Sequence, residues 1–162
     1  MEADELRIRI VTVSTRASTG VYEDTAGPAV AEVLQAQGLT VVGIDVVPDG
    51  REGVSAAIVR ACADADVVIT NGGTGMHPRD TTREATLDVI DREVPGIAEA
   101  IRARSLQITP MAMLSRATAW IRGSTLVINV PGSPKGARES VEVVVAVLRH
   151  AVDQLRAGDH PR

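Results

Sequence analysis

The chain of 162 residues is 44% hydrophobic and 23% charged, a length and composition that predict one globular domain over 1–162 with its own core. Its net charge is −4, with one Trp, one Tyr and no Phe, which argues against a basic, aromatic-rich nucleic-acid surface. The lone cysteine excludes a disulfide framework, and no apolar run approaches the ~18 residues of a membrane span. Because the acidic N-terminus lacks a signal-peptide pattern, we expect a cytoplasmic protein with no nucleic-acid and no membrane partner.

Apolar residues recur with two different periods and predict strands that alternate with helices. Strands are predicted at 7–14, 41–47, 67–69, 118–122 and 125–130. Helices are predicted at 24–37, 54–62, 82–92, 95–104 and 134–155, and the segments 14–20 and 110–116 are predicted to be irregular. This alternation is typical of an α/β fold, a three-layer α/β/α sandwich with a mostly parallel sheet. A hairpin around Gly123 and Ser124 is expected to contribute one antiparallel edge strand.

Local signals mark several of the predicted helix ends. Gly38 follows the first helix in the position that often holds a left-handed glycine. Thr81 and Glu84 fit a capping box, in which the Glu84 side chain would reach back to the helix start. Ser133 and Pro134 fit the N-cap and the first position of the last helix.

Four polar segments follow the predicted strands, at 14–20, 48–53, 71–80 and 131–135. In a parallel sheet the carboxyl ends of the strands meet at one edge, and ligands bind there near the point at which the strand order reverses. The segment 71–75, Asn-Gly-Gly-Thr-Gly, lies between a buried strand and a helix start and can offer backbone N–H groups to a phosphate. We therefore predict a nucleotide or phosphate site, although this segment alone also fits an ordinary turn.

The side chains of these segments favour charge neutralisation and positioning over nucleophilic catalysis. The sequence has no P-loop, no GxGxxG fingerprint, no GxSxG elbow and no cluster of histidines. Asp49 and Asp80 offer the hard oxygen ligands that Mg²⁺ prefers with a bound nucleotide, although both also fit ordinary turn residues. Candidate phosphate contacts are the basic residues Arg16, Arg79 and Lys135 and the hydroxyl residues Ser14, Thr74 and Ser133. This set suits phosphoryl or nucleotidyl transfer.

Six motifs in matching order carry a resemblance to a known family. They are STRASTGVYED at 14–24, GGTG at 72–75, PRDTTREAT at 78–86, PGIAEAIR at 95–102, AMLSR at 112–116 and IRGSTLVINVPGSPKGARE at 121–139. Together they resemble the molybdopterin adenylyltransferases, the Mog/MoaB-type proteins of molybdenum cofactor biosynthesis, which are related to the gephyrin G domain. The likeness runs from about Ile8 to Leu155.

This resemblance implies a three-layer α/β fold and Mg²⁺-dependent transfer of AMP from ATP to the terminal phosphate of molybdopterin, with release of pyrophosphate. It assigns catalysis and the metal to Asp49 and Asp80. It assigns the nucleotide to Gly72, Gly73, Thr74 and Gly75. It assigns molybdopterin to Ser14, Arg16, Ser115, Pro131, Gly132, Ser133 and Lys135. It also implies a homo-oligomer, a trimer or a hexamer, and contact with a molybdate-inserting enzyme.

Three positions depart from the family pattern. Thr15 stands where relatives often have Asp, Asn71 stands where a Thr often precedes GGTG, and Trp120 replaces a small residue and is expected to pack at an edge or a subunit contact. The Thr15 departure keeps open an alternative, a MoaB-like paralogue that binds pterin or nucleotide without turnover. A further alternative is a nucleotide-binding α/β module unrelated to molybdenum.

Overall fold

The computed structural model describes residues 5–156, so both ends of the predicted 1–162 domain lie outside the described residues. The strands are β1 (Arg7–Val13), β2 (Thr40–Val47), β3 (Val67–Asn71), β4 (Arg92–Glu93), β5 (Ala119–Arg122) and β6 (Thr125–Val130). The α-helices are α1 (Thr15–Ser18), α2 (Ala26–Ala36), α3 (Arg51–Cys62), α4 (Thr82–Leu87), α5 (Pro95–Leu106) and α6 (Pro134–Arg156), and a 3₁₀ helix spans Pro110–Leu114. Within residues 5–156, no helix is both long enough and apolar enough to cross a bilayer.

The six strands form one sheet in the order β2-β1-β3-β6-β5-β4. The four strands from β2 to β6 are parallel, whereas β5 runs antiparallel to both of its neighbours. The predicted hairpin is present, since Arg122 pairs with Thr125 across a two-residue turn in which Gly123 has φ +58°. The sheet is thus mostly parallel with antiparallel pairing at one edge, as the sequence predicted.

Alternate residues of the central strands point to opposite faces and bury two separate cores. Ile10, Ile69 and Ile128 contribute to the core beneath α2, α5 and α6. Val68 and Val127 contribute to the core beneath α3 and α4. Because these strands are covered on both faces, their sequences are nearly continuous aliphatic runs. Three layers result, with the sheet in the middle.

Trp120 lies on β5 and is buried within the chain. Its indole N–H donates a hydrogen bond to the Thr118 hydroxyl, and it pairs in register with Glu93 of the edge strand β4. The Trp120 side chain therefore fills space at the sheet edge, which is one of the two roles expected of it.

Three of the local predictions are wrong. The segment 110–116, predicted to be irregular, contains the 3₁₀ helix Pro110–Leu114, which the Thr109 hydroxyl caps by accepting the Met111 N–H. The segment 14–20, predicted to be irregular, contains the one-turn helix α1, because the Ser14 hydroxyl accepts a hydrogen bond from the Ala17 N–H at 3.2 Å and caps it. The helix predicted at 82–92 ends at Leu87. Beyond it the Asp91 N–H donates to the Ile121 carbonyl at 2.8 Å, so the chain joins the sheet as β4 instead of continuing as a helix.

We predict that Leu148→Ala lowers the free energy of unfolding by about 2–5 kcal/mol, because Leu148 is fully buried on the core face of α6 and its truncation leaves a cavity. Val147 precedes it on the same helix and is 47% exposed. The matched variant Val147→Ala should stay within about 0.5 kcal/mol of the wild type. Urea denaturation of the three proteins at one concentration measures both values. Equal losses would contradict the burial of this face.

Candidate functional site

The strand order reverses between β1 and β3, because the chain leaves β1 for β2 on one side and returns to β3 on the other. The crossover helix α2 packs against one face of the sheet and α3 packs against the opposite face. The carboxyl ends of β1 and β3 therefore open a crevice of the type that binds ligands in doubly wound sheets.

A cavity of about 540 Å³, the first pocket, fills this crevice. It collects residues from the ends of all four parallel strands, namely Ser14 and Arg16 after β1, Asp49 after β2, Gly72 and Gly73 after β3, and Gly132 after β6. Arg79, Asp80 and Asp24 also line it. The convergence of the four loops, predicted from the strand pattern, is confirmed.

A second pocket of about 320 Å³ lies on the other side of the same loops. Its lining includes Thr74, Gly75, Ser115, Pro131 and Ser133. The remaining lining comes from α5, the 3₁₀ helix and the first turns of α6, which makes this pocket more apolar than the first. The predicted site residues, apart from Lys135, thus divide between two adjacent pockets.

The two pockets share a wall made of the glycine loop 72–75 and the loop 131–133. A Cβ added to Gly132 would lie 3.1 Å from the Gly72 Cα, so the two backbones are in direct contact. Gly72 and Gly73 have φ values of +99° and +67°, a conformation that side chains rarely adopt. Only glycine fits this wall, because a Cβ on Gly72 would clash with the Val13 carbonyl oxygen and one on Gly73 would clash with Thr82.

The hydrogen bonds of the glycine loop 72–75 leave the backbone N–H groups of its last three residues available. Thr82 donates from its hydroxyl to the Gly72 carbonyl at 2.9 Å and from its N–H to the Gly73 carbonyl at 3.1 Å. The Gly72 N–H donates to the Val130 carbonyl at 3.1 Å, so this amide is already used. Within the described chain, no acceptor receives the N–H groups of Gly73, Thr74 and Gly75, and such a run of amides can bind an anion.

Asp49 is held in the first pocket by Thr15. Its Oδ2 accepts hydrogen bonds from the Thr15 hydroxyl at 2.7 Å and from the Thr15 N–H at 3.2 Å. The Asp49 N–H donates back to the same hydroxyl oxygen at 3.1 Å. Thr15, a predicted departure from the family pattern, therefore orients this carboxylate.

Asp80 lies at the far end of the loop that follows the glycines. Its Oδ2 accepts a hydrogen bond from the His77 N–H at 3.1 Å, and the His77 Nδ1 accepts one from the Arg79 N–H at 3.1 Å. His77 thus stabilises the turn that carries Asp80. For both Asp49 and Asp80, the hydrogen bonds within the described chain fall on Oδ2, so that Oδ1 is available to a ligand.

Arg116 fixes both ends of the loop that carries Asp80. Its Nε donates to the Gly75 carbonyl at 2.9 Å and its Nη2 donates to the Asp80 carbonyl at 2.5 Å, while its Nη1 binds the Glu84 carboxylate. The Arg116 N–H also donates to the Thr74 carbonyl at 2.8 Å. Arg116 belongs to the motif at 112–116, but the sequence predicted no role for it. Its hydrogen-bond partners are 32 to 42 positions away in the chain, so no local pattern links them to Arg116.

The predicted capping box at Thr81 and Glu84 is wrong. Thr81 occupies the N-cap position of α4 but makes no capping hydrogen bond through its side chain. The Glu84 carboxylate binds Arg116 instead of reaching back to the helix start. A guanidinium that can bind both carboxylate oxygens is the stronger partner for this side chain.

The residues predicted to contact molybdopterin occupy three different surroundings. Ser14, Arg16 and Gly132 line the first pocket, and Ser115, Pro131 and Ser133 line the second. The Ser133 hydroxyl caps α6 by accepting the Gly136 N–H at 3.1 Å, as predicted. Lys135 lines neither pocket; its side chain is 80% exposed and lies 3.9 Å from Glu139.

The chain matches the model of a family described as a probable molybdopterin binding domain, MoCF_biosynth, over residues 9–150. The chain belongs to this family. Two relatives named molybdopterin adenylyltransferase, from Helicobacter pylori J99 and Escherichia coli K12, are each 40% identical to it, over 91% and 86% of this chain and 86% and 73% of their own lengths. A crystal structure of the molybdopterin biosynthesis enzyme MoaB from Thermus thermophilus matches with 47% identity and a TM-score of 0.85, covering 93% of this chain and 96% of that one.

The acidic side chains of the first pocket are relevant to metal binding. Within residues 5–156, no group of three or more His, Cys, Asp or Glu side chains could by itself hold a metal ion. The first pocket instead offers separate carboxylates, of which Asp24 is engaged by Thr12 and Gly27 while Asp49 and Asp80 each keep one oxygen available, and the remaining ligands would come from elsewhere. This is the arrangement that proteins use for Mg²⁺ bound together with substrate phosphates.

We predict that Gly72→Ala lowers the free energy of unfolding by about 1–3 kcal/mol or more, because the added Cβ forces a strained φ and meets the Val13 carbonyl. Gly53 provides a matched control, since it lies in α3 with open space around its Cα. Gly53→Ala should instead stabilise the protein by roughly 0.5–1 kcal/mol. Chemical denaturation distinguishes the two signs, and a neutral Gly72→Ala would contradict the close approach of the loops.

We also predict a pH-dependent effect of Glu84→Gln. The hydrogen bond from Arg116 lowers the pKa of Glu84. A lowered pKa in the folded state means that the ion pair stabilises the protein above the unfolded-state pKa of about 4.3 and that this contribution is lost as the pH falls through the folded-state pKa. The stability difference between the wild type and Glu84→Gln should therefore be largest above about pH 5 and shrink on acidification.

Thermal denaturation at a series of pH values measures this trend. Glu99→Gln on α5 is the control, because Glu99 is exposed and makes no ion pair within the described chain. A difference that stays constant between neutral and acid pH would show that Glu84 does not act through its charge.

Proposed function

We propose that this protein transfers AMP from ATP to the terminal phosphate of molybdopterin and releases pyrophosphate. The observation that carries this proposal is the pair of pockets that share the wall of Gly72 and Gly132. A transfer between two substrates needs two sites that bring the reacting groups together. The names of the relatives at 40% identity support the same reaction.

ATP is assigned to the first pocket because of its charged groups. Three carboxylates (Asp24, Asp49 and Asp80) and two guanidinium groups (Arg16 and Arg79) line it, which leaves one net negative charge. This lining alone does not balance the charge of a triphosphate. The residues therefore fit Mg²⁺, which Asp49 and Asp80 would hold through their available oxygens and which would neutralise phosphate charge when bound.

Molybdopterin is assigned to the second pocket. Its apolar surroundings suit a flat heterocycle, and the Ser115 and Ser133 side chains offer polar contacts. The N-terminus of the 23-residue helix α6 begins at Pro134, beside this pocket, and favours an anionic group there. The terminal phosphate of molybdopterin would then lie next to the shared wall.

In the proposed reaction the residues of this chain bind and orient the phosphate groups, and none of them needs to transfer a proton. A phosphate oxygen that is already ionised near neutral pH can attack the α-phosphorus directly, forming the new P–O bond as the bond to pyrophosphate breaks. The unused N–H groups of Gly73, Thr74 and Gly75 would hold phosphate oxygens, since this loop runs from the first pocket into the second. Arg16 and Arg79 would stabilise the negative charge of the leaving pyrophosphate.

The hydrogen bond between Thr15 and Asp49 favours an active enzyme over a binding paralogue. The replacement of an acidic residue by Thr15 leaves both proposed metal carboxylates in the first pocket and orients one of them. A MoaB-like paralogue that binds its ligands without turnover is therefore the second candidate and an outcome of the test below.

Exposed apolar side chains support the prediction of a homo-oligomer. Large apolar side chains cluster on one stretch of the surface, at Leu106, Ile108, Met111, Met113 and Leu114, with Met113 69% exposed. Exposed apolar clusters mark protein interaction sites or ligand-binding grooves, and only Met111 and Leu114 of this cluster line the second pocket. A trimer or hexamer, the cytoplasmic location and contact with a molybdate-inserting enzyme stay predictions.

We predict that the purified protein, given ATP, Mg²⁺ and freshly released molybdopterin, forms adenylylated molybdopterin and pyrophosphate in equal amounts. Asp80→Asn and Asp49→Asn should each reduce kcat by roughly 100- to 1000-fold, because each removes a carboxylate that would hold Mg²⁺ against the phosphates. Asp153→Asn, on the exposed face of α6, should leave turnover unchanged.

The outcomes separate the three candidate functions. Retention of molybdopterin without pyrophosphate release would establish the binding paralogue. Failure to bind molybdopterin would establish a nucleotide-binding module of another kind. Full turnover by Asp80→Asn would remove the role assigned to that carboxylate.

A further inference from the structure

The Asn71 side chain contains the one buried side-chain oxygen or nitrogen atom that lacks a hydrogen-bond partner within the described residues. The atom is Oδ1, and Asn71 is only 1% exposed. A buried amide oxygen without a partner destabilises the folded protein, so such a group calls for an explanation. Asn71 also lines the first pocket, so this atom lies in the wall of that cavity.

A chain of hydrogen bonds fixes the orientation of the Asn71 amide. The Thr12 hydroxyl donates to the Asp24 Oδ2 at 2.9 Å, and its single proton is thereby used. Thr12 can therefore only accept from Asn71, which donates through Nδ2 at 3.0 Å. A flipped amide would place two acceptors against each other. The Asp24 carboxylate is itself held by the Gly27 N–H at 3.1 Å, so the whole chain is anchored to the start of α2.

The position of Asn71 shows which part of a ligand could reach it. As the last residue of β3, Asn71 shares a face with Val67 and Ile69 and points toward the layer of α2 and α6. It directly precedes the glycine loop to which we assign the phosphates. The Asp24 carboxylate lies in the same corner, so this corner presents acceptors and a negative charge. An ionised phosphate is disfavoured there, whereas a neutral hydroxyl or amino group is favoured.

We propose that Asn71 Oδ1 accepts a hydrogen bond from the nucleoside part of the bound nucleotide, from either a ribose hydroxyl or the amino group of the base. This inference rests on the proposed function in one respect, that the first pocket takes the nucleotide. Asn71 is then a specificity residue for the nucleoside, and Thr12 is a positioning residue that holds the amide in one orientation by accepting from Nδ2.

The test uses isothermal titration of the full-length protein with MgATP. Asn71→Leu is close in size and removes the acceptor, and we expect it to weaken MgATP binding roughly tenfold. In turnover assays, the KM for ATP should rise with little change in kcat, and the KM for molybdopterin should not change. Thr12→Val, which frees the amide to rotate, should weaken MgATP binding by a smaller factor.

Nucleotide analogues test the same contact in the wild-type protein, which keeps the test valid if a variant fails to fold. We compare 2′-deoxy-ATP, 3′-deoxy-ATP and N6,N6-dimethyl-ATP, each of which lacks one class of donor. One of them should bind roughly tenfold more weakly than ATP to the wild type, and that difference should disappear in Asn71→Leu. The analogue that loses affinity identifies the donor.

The outcomes distinguish this inference from the proposed function. If the wild type binds MgATP but neither the analogues nor Asn71→Leu alter the affinity, Asn71 Oδ1 is satisfied by water and the inference is overturned alone. If Asn71→Leu weakens molybdopterin binding instead, the acceptor belongs to the pterin and the assignment to the nucleoside is wrong. If the wild type does not bind MgATP, both the inference and the proposed function fail.

Discussion

The contact on which the site depends is the meeting of three strand ends at the backbone of Gly72. Its N–H donates to the carbonyl of Val130 at the end of β6, and its Cα lies against Gly132. On its other side it packs against the Val13 carbonyl at the end of β1. No side chain fits between these backbones. The loops can therefore form one thin wall, and a thin wall allows two pockets to present their ligands to each other.

Arg116 holds the loop next to that wall in one conformation. Hydrogen bonds to the carbonyls of Gly75 and Asp80 tie the loop between them to one guanidinium, whose charge is balanced by Glu84. The Arg116–Glu84 pair is partly exposed, so its direct contribution to stability is modest. Its larger effect is geometric, because one planar group fixes two points of a loop that would otherwise move independently. A site that works by positioning charge needs this rigidity.

The sequence predicted the parts of this structure that depend on local pattern. Aliphatic runs at β1, β3 and β6 identified the covered strands, and the polar segments after them identified the edge of the sheet at which Asp49 and Asp80 lie. It did not predict contacts between distant side chains. The pairing of Arg116 with Glu84 replaced a plausible capping box, and the wall between the pockets depends on distances that no local pattern encodes. The division of the site into two pockets was therefore visible only in the fold.

The residue at position 15 shows how a change of charge can leave a site intact. Two like charges 4 Å apart repel by about 4 kcal/mol at an effective dielectric constant of about 20, so an acidic side chain in contact with Asp49 would need a cation to hold both. Thr15 instead donates its hydroxyl and N–H to Asp49 and adds no charge. The carboxylate is then fixed before any ligand arrives. A neutral hydroxyl at this position thus orients Asp49, in the pocket that we assign to the nucleotide, without the repulsion that a second carboxylate would add.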